Sequence, residues 1–195
     1  MKFIIALWLG KFINLLINVI DKRRGSNFSG EKAMKLDKQM VAHFKGIDPS
    51  KVLFITGTNG KSTTNNLINH ILKQQGMKVV SNLEGANLLT GVATALLKHA
   101  SLTGVVKADY YIFETDERFL PLIYEQLPAQ NILVTNLQKD QVQRNGDPDF
   151  IYRKLKPVME KEIRIFLNNE EPRSRSFASH FASAHPSKRA ASSPS

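Results

Sequence analysis

The chain has 195 residues, enough for one α/β domain with a sizeable core and short extensions. It contains no cysteine, which excludes disulfide bonds and thiolate metal sites and fits a reducing compartment. The formal net charge is +10, but residues 51–172 carry fourteen basic and thirteen acidic residues, so the excess lies at the two ends. Because a near-neutral centre with acidic clusters would repel a phosphate backbone, we expect no nucleic-acid binding.

Residues 3–20 are strongly apolar and are followed by Lys22-Arg23-Arg24. A signal peptide is disfavoured because the basic cluster follows the apolar stretch and no small-residue cleavage site is present. A membrane span is disfavoured because Lys11, Asn14 and Asn18 interrupt the stretch, where helical spacing joins them into one narrow polar stripe. Two interpretations stay open: a helix packed on the domain or on a partner, and an interfacial helix lying on a membrane surface.

Two further segments have compositions that are typical of residues outside a folded core. Residues 21–50 combine Gly-Ser pairs, mixed charge and an Asp-Pro-Ser turn, which predicts a linker. Residues 173–195 are rich in serine and alanine and lack valine, isoleucine and leucine, which predicts a disordered basic tail. The predicted organisation is an apolar helix and linker over 1–50, a central domain over 51–172, and a tail that suggests a truncated or frame-shifted end.

From residue 51 onward, short apolar runs alternate with helix-like stretches. The pattern predicts strands over residues 52–56, 78–80, 110–113, 131–135 and 164–167. It predicts helices over about 61–75, 90–99, 121–126 and 149–160. Alternation of this kind is typical of right-handed βαβ units, so the fold class is α/β, with a parallel sheet covered by helices on both faces.

The most informative segment, Gly57-Thr58-Asn59-Gly60-Lys61-Ser62-Thr63, follows the first predicted strand directly. A glycine turn that opens a helix directs successive backbone N–H groups and the positive end of the helix dipole at one spot, which suits phosphate. Lys61 can reach the terminal phosphates of a nucleotide, and the hydroxyl of Ser62 or Thr63 can hold Mg²⁺. The strict P-loop spacing would place a glycine at position 55, where the chain has Ile55, so this loop is a shortened variant.

Polar residues also follow two other predicted strands. Glu114, Asp116 and Glu117 follow one of them, and Asn136 and Asp140 follow another. Because the carboxyl ends of parallel strands meet at one edge of a sheet, we expect these side chains near the glycine turn. A carboxylate and a hydroxyl can hold Mg²⁺ across phosphate oxygens. Acidic residues favoured at a helix N-terminus, and ordinary loop capping, stay open as alternative explanations.

These segments resemble motifs of the Mur ligases. Residues 56–64 are similar to the ATP-binding loop of that family, Glu114–Glu117 to its Mg²⁺-binding acidic segment, and Thr135–Leu137 with Asp140 to its next strand-end motif. Within the family, residues 82–91 and the Asp140-Gln141 pair are most similar to the MurT branch. The resemblance covers roughly residues 1–172 and implies a P-loop-like central domain.

The resemblance also implies cofactors and site residues. ATP and Mg²⁺ would be the cofactors, and the nucleotide-binding residues would be Gly57, Thr58, Asn59, Gly60, Lys61, Ser62, Thr63 and Asn136. Ser62 and Glu114 would hold Mg²⁺, and Lys61 and Glu114 would be the catalytic residues. The implied activity is ATP-dependent ligation of a carboxylate to an amine or ammonia through an acyl phosphate.

The MurT branch further implies a lipid-linked muropeptide as substrate, with amidation of the D-glutamate of lipid II by ammonia from a GatD-like glutaminase partner. The implied location is cytoplasmic, at the inner face of the membrane if residues 3–20 contact lipid.

The sequence also departs from the family pattern, which keeps alternative functions open. Gln141 stands where other Mur ligases have a metal-binding histidine, and Lys156 fits a surface lysine better than a carbamylated one. The four-cysteine zinc insertion and the C-terminal domain would both fall after residue 172. A non-catalytic ATP-binding fragment, another Mur or folylpolyglutamate-type ligase, and a membrane-surface adaptor are therefore the alternatives.

Overall fold

The computed structural model describes residues 1–20, 27–83, 87–137, 148–172 and 175. Five parallel strands form one sheet in the order β2-β3-β1-β4-β5. The strands are β1 (Val52–Thr56), β2 (Val79–Ser81), β3 (Tyr110–Glu114), β4 (Asn131–Val134) and β5 (Arg164–Leu167). The predicted α/β class with a parallel sheet is confirmed.

Six α-helices accompany the sheet within the described residues. They are α1 (Lys2–Ile20), α2 (Phe28–Leu36), α3 (Lys61–Gln74), α4 (Leu89–His99), α5 (Leu120–Gln126) and α6 (Pro148–Met159). Two short 3₁₀ turns, Met40–His43 and Pro49–Lys51, precede the sheet. From β1 onward, every strand and helix boundary lies within one residue of its predicted position. No helix in the described part of the chain combines the length and the apolar character that crossing a bilayer requires.

Strand β1 lies at the centre of the sheet and pairs with β3 on one side and with β4 on the other. Its register joins Ile55 to Glu114 of β3 and Thr56 to Val134 of β4. Val52, Phe54, Ile55 and Thr56 are fully buried, as expected for a strand that helices cover on both faces. The carboxyl ends of β1, β3 and β4 therefore lie side by side.

The segment between α1 and the sheet differs from the predicted linker. Residues 28–36 form α2, which packs between α1 and α4 and buries Ser29, Gly30 and Ala33. The Gly30 N–H donates to Thr94 Oγ1 (3.0 Å), so the two helix backbones lie very close. The prediction missed α2 because the helix is short, and its burial depends on the small residues Ser29, Gly30 and Ala33 rather than on an apolar stripe. Residues 21–26 and almost all of the predicted tail lie outside the described residues.

The contact between α2 and α4 generates a stability prediction. A methyl group at Gly30 would overlap the Thr90 carbonyl oxygen and Thr94 Oγ1 and would lie 2.9 Å from the Thr94 backbone nitrogen. Alanine normally stabilises a helix relative to glycine by about 1 kcal/mol. Here we expect Gly30→Ala to lower the free energy of unfolding by about 1–3 kcal/mol, because backbone atoms cannot yield to the methyl group. Urea denaturation measures the change.

Lys35→Ala on the same helix is the matched control. Its exposed ammonium pairs with Glu31 at 3.3 Å, and such surface pairs contribute less than about 1 kcal/mol. A Gly30→Ala chain that is as stable as wild type, or more stable, would show that α2 is not seated on α4.

Candidate functional site

The loop from Gly57 to Gly60 joins β1 to α3, and both of its glycines have positive φ, 127° and 82°. A Cβ at Gly57 would overlap Thr135 Oγ1 and would lie 2.6 Å from the Asn136 carbonyl oxygen, so the loop packs tightly against the end of β4. A Cβ at Gly60 would meet no heavy atom of the described residues within 4 Å. Gly57 is therefore required for close packing, whereas Gly60 supplies a left-handed turn next to open space.

The residues that follow β4 hold this loop in place. Asn136 Oδ1 accepts from the Asn59 N–H (3.0 Å), and Asn136 Nδ2 donates to the Asn59 carbonyl oxygen (3.0 Å). The Thr58 N–H donates to the Asn136 carbonyl oxygen (2.9 Å), and Thr135 Oγ1 donates to the Asn59 carbonyl oxygen (2.7 Å). This set of bonds, the Asn136 clamp, fixes the peptide groups of the loop. The Asn136 amide is engaged with the loop backbone.

Helix α3 begins immediately after the clamp. Gly60 is its N-cap residue, and no side chain caps the helix. The first intrahelical bond is from the Thr64 N–H to the Gly60 carbonyl oxygen (2.9 Å). The preceding N–H groups have no acceptor within the helix and share the positive end of its dipole. Ser62 and Thr63 are exposed on the same turn, so this helix end can bind an anion.

Lys61 turns back over the loop instead of pointing into solvent. Its Nζ donates to the carbonyl oxygens of Gly57 and Thr58 and lies 3.9 Å from Glu117 Oε2. The side chains of Lys61 and Glu117 are only 12% and 4% exposed. Burial raises the pKa of Glu117, although a hydrogen bond from its own backbone and the charge of Lys61 oppose the rise. The loop therefore holds one cation against a buried carboxyl group.

The neighbouring carboxylate, Asp116, has a different partner. Arg118 donates to both of its carboxylate oxygens, from Nε at 3.0 Å and from Nη2 at 2.8 Å. Burial acts to raise the pKa of Asp116, but the hydrogen bonds and charge of Arg118 outweigh it, so the pKa lies below its ordinary value. Asp116 is thus neutralised by Arg118, which leaves Glu117 as the carboxyl group that faces Lys61.

Glu114 is fixed at the end of β3 by its backbone. The Glu114 N–H donates to Asn82 Oδ1 (2.9 Å), and Asn82 Nδ2 donates to the Glu114 carbonyl oxygen (2.8 Å). This amide pairing ties the end of β2 to the end of β3. The Glu114 side chain is half-buried at the sheet edge, on the strand next to the one that leads into the loop. Thr56 and Thr115, which are fully buried, present hydroxyl groups with no hydrogen-bond partner among the described residues.

The donor groups at this edge suit Mg²⁺ in one binding mode. Among the described residues, no group of three or more histidine, aspartate or glutamate side chains could hold a metal ion. Mg²⁺ is commonly bound by one or two carboxylates together with water and substrate phosphates. Ser62 and Glu114 fit that mode, because a phosphate seated on the loop would supply the remaining oxygen ligands.

The structure places the predicted loop residues, together with Glu114 and Asn136, at the carboxyl end of the sheet. Asp140, Gln141 and the middle of the loop after β2 lie outside the described residues. Lys156 lies on α6 and forms an exposed ion pair with Glu160 (3.6 Å), as an ordinary surface lysine does. Sequence reasoning missed the roles of Asn82, Thr135 and Arg118. The position of Asn82 and Thr135 next to predicted strand ends was the available signal.

Comparison with known proteins gives a consistent assignment. The model of the Mur ligase middle domain matches residues 55–188, past the predicted domain end at 172. The MurT subunit of lipid II isoglutaminyl synthase (glutamine-hydrolyzing) from Staphylococcus aureus is 30% identical over 169 residues, which cover 86% of this chain and 37% of that protein. The MurT subunit from Streptococcus pneumoniae is 31% identical over 152 residues, which cover 76% and 33%. UDP-N-acetylmuramoylalanine–D-glutamate ligase from Thermotoga petrophila is 30% identical over 142 residues, which cover 71% and 30%.

A solved structure supports the fold. MurF from Acinetobacter baumannii superposes with a TM-score of 0.52 at 14% identity, over 82% of this chain and 34% of MurF. The chain spans about a third of the length of the curated relatives it matches. Because the middle-domain model matches more than half of its residues, the chain belongs to the Mur ligase family.

Proposed function

We propose that this chain binds Mg²⁺-ATP at the loop between β1 and α3 and serves in a ligase that joins a carboxylate to an amine or ammonia. The observation that carries the proposal is the uncapped N-terminus of α3, held open by the Asn136 clamp beside Lys61. Backbone N–H groups fixed in one direction, together with a lysine, take up the charge of a triphosphate.

Phosphate binding would rearrange the contacts of Lys61. Its ammonium now bonds to the carbonyl oxygens of Gly57 and Thr58, and phosphate oxygens are stronger, charged acceptors at the same helix end. The absence of a Cβ at Gly60 leaves the approach open. Ser62 and Glu114 would hold Mg²⁺, which would neutralise charge on the phosphate oxygens. In this proposal Asn136 holds the loop and does not contact the nucleotide.

The reaction proposed for the assembled enzyme has two steps. A substrate carboxylate oxygen attacks the γ-phosphorus of ATP, which releases ADP and forms an acyl phosphate. The amine nitrogen then attacks the acyl carbon, phosphate leaves with the bonding electrons, and loss of the amine proton gives the amide. A carboxylate alone is a poor electrophile, and phosphorylation supplies the leaving group. Lys61 would stabilise the negative charge that develops on the transferred phosphoryl group.

The relatives favour a particular substrate and partner. Two of them are MurT subunits of lipid II isoglutaminyl synthase, a glutamine-hydrolysing enzyme. We therefore propose that the carboxylate belongs to D-glutamate of a lipid-linked muropeptide, that ammonia comes from a GatD-like glutaminase subunit, and that the site is cytoplasmic. The similarity to a D-glutamate-adding ligase favours, as the second candidate, another Mur-type ligase acting on a soluble precursor.

Nucleotide binding is tested first with Lys61→Ala. We expect isothermal titration calorimetry with Mg²⁺-ATP to show an affinity about tenfold to a hundredfold weaker than for wild type, the size expected for a charge-assisted bond to phosphate. Lys73→Ala, an exposed lysine near the other end of α3, is the control and should bind as wild type does. A wild-type chain that takes up no Mg²⁺-ATP would sink the proposal.

The ligase activity is tested separately, with the glutaminase subunit added. Release of ADP that requires both a D-glutamate-containing lipid-linked muropeptide and ammonia supports the first candidate. Release of ADP that requires a soluble precursor and an amino acid supports the second. Tight nucleotide binding with no turnover under any of these conditions would reduce the function to nucleotide binding alone.

The two glycines at the ends of α3 allow a controlled comparison. Gly60 (φ 82°) and Gly76 (φ 76°) have the same left-handed backbone, and a Cβ at either would meet nothing within 4 Å among the described residues. We expect Gly60→Ala and Gly76→Ala to lower the free energy of unfolding by a similar amount, about 1 kcal/mol. Only Gly60→Ala should weaken Mg²⁺-ATP binding, because its methyl group enters the phosphate approach. Equal affinities for the two variants would place the phosphates elsewhere.

The buried carboxyl group next to Lys61 predicts a pH dependence of stability. Burial raises the folded-state pKa of Glu117 above its ordinary value of 4.5, so the folded chain binds more protons than the unfolded chain above that pH. Glu117 therefore contributes stability at low pH that is lost as pH rises through its folded-state pKa. Glu117→Gln removes this titration.

We expect the free energy of unfolding of Glu117→Gln, relative to wild type, to increase as the pH is raised from 4.5. Urea denaturation at a series of pH values measures it. Glu125→Gln, at an exposed position on α5, should change the free energy of unfolding by less than about 0.5 kcal/mol throughout. A relative stability that stays flat or falls with pH would contradict the burial of Glu117.

A further inference from the structure

Helix α1 packs on the domain with two polar side chains turned inward and a row of large apolar side chains left outside. Its inner face contains the fully buried Ala6 and Leu7, the buried Asn14 and the half-buried Lys11. Its outer face exposes seven large apolar side chains: Ile4, Ile5, Trp8, Leu9, Phe12, Leu15 and Leu16. Trp8, Phe12 and Leu15 are each more than half exposed. Lys11 and Asn14 thus face the domain together with Ala6 and Leu7, and the large apolar side chains of the opposite arc face outward.

The exposed residues form one continuous surface. At about 100° per residue, they occupy a single arc of the helix, with Lys2 at one margin and Lys11 at the other. The loop after α4 extends this surface, because Trp8 Nε1 donates to the Leu102 carbonyl oxygen (3.1 Å) and the Leu102 side chain is 65% exposed. We call the seven α1 residues and Leu102 the outer face. Contiguous apolar surface of this kind is uncommon on a protein that stays in water.

Charge identifies the occupant that the outer face fits. Helix α1 contains no acidic residue, Lys2 borders its apolar arc on the side away from Lys11, and Lys22-Arg23-Arg24 follows α1 in the sequence. An apolar face bordered by basic residues is the pattern of helices that lie in the boundary layer of anionic lipid. A neutral protein surface would match the apolar arc but would leave the basic border without a counterpart.

We propose that the outer face of α1, with Leu102, inserts into the headgroup boundary of an anionic lipid bilayer, with the helix axis parallel to the membrane. This inference does not depend on the proposed ligase activity. It rests on the exposed apolar residues, the way Lys11 and Asn14 face the domain, and the basic border. It also commits to lipid rather than to a second copy of the chain or a protein partner.

Trp8 provides a direct probe, because it is the only tryptophan in the chain. We expect its fluorescence to shift to shorter wavelength, and to be quenched by brominated acyl chains, when the full chain meets vesicles of phosphatidylcholine with phosphatidylglycerol. The affinity for vesicles of phosphatidylcholine alone should be at least about tenfold lower, because each basic residue near anionic lipid raises the affinity by about fivefold. Co-sedimentation gives the affinities.

The triple variant Ile5→Ser, Phe12→Ser, Leu15→Ser should bind anionic vesicles at least about tenfold more weakly, because it removes buried apolar area from the contact. The control triple variant, Leu67→Ser, Ile71→Ser and Leu122→Ser, removes three exposed apolar residues elsewhere and should bind as wild type does. Circular dichroism and urea denaturation check that both variants are folded.

Three results would overturn the inference. One is the absence of any Trp8 shift or quenching with anionic vesicles. Another is an equal loss of binding in the two triple variants. The third is a Trp8 shift that accompanies self-association or addition of the glutaminase without lipid, while vesicles produce none, which would assign the outer face to a protein.

Discussion

Pairing of β1 with β3 on one edge and with β4 on the other is the interaction on which the candidate site depends. It brings together three chain segments that are far apart in sequence: the glycine loop after β1, Glu114 at the end of β3, and Asn136 after β4. The ladder continues past the strands, since the Thr115 N–H donates to the Ile55 carbonyl oxygen and the Thr135 N–H donates to that of Thr56, each at 2.9 Å. The sheet therefore sets the geometry of the loop before any side chain contributes.

Each acidic residue at this end of the sheet has a different partner. Arg118 neutralises Asp116 with two charge-assisted bonds, and Asn82 fixes Glu114 through its backbone. Glu117 remains against Lys61 in a nearly dry environment, and this burial raises the pKa of its carboxyl group. In the proposed binding mode, Lys61 would exchange its contacts with the carbonyl oxygens of Gly57 and Thr58 for phosphate oxygens.

Most of the fold could be predicted because its determinants are local. Apolar runs that end in polar or glycine residues fix each strand from β1 to β5, and the spacing of Gly57, Gly60 and Lys61 fixes the loop. Helix α2 was missed because it is held by backbone contact at Gly30, which hydrophobic periodicity does not report. The engagement of Asn136 with Asn59 was missed for a related reason: the two are 77 positions apart, and the bond exists only because β1 and β4 are paired.

The inward direction of Lys11 on α1 has a physical cause at the end of α4. The last carbonyl groups of a helix lack intrahelical donors, and the Lys11 ammonium donates to one of them, the Leu97 carbonyl oxygen, at 3.1 Å. Gly10 permits this approach, since a Cβ there would lie 2.7 Å from a Leu97 methyl group. Lys11 lies at the margin where α1 meets the domain, and the arc that turns away from the domain, with Phe12 and Leu15, faces solvent. Burying each such side chain is worth about 1.5–3 kcal/mol, so covering the outer face would release hydrophobic free energy that the chain alone leaves exposed to water.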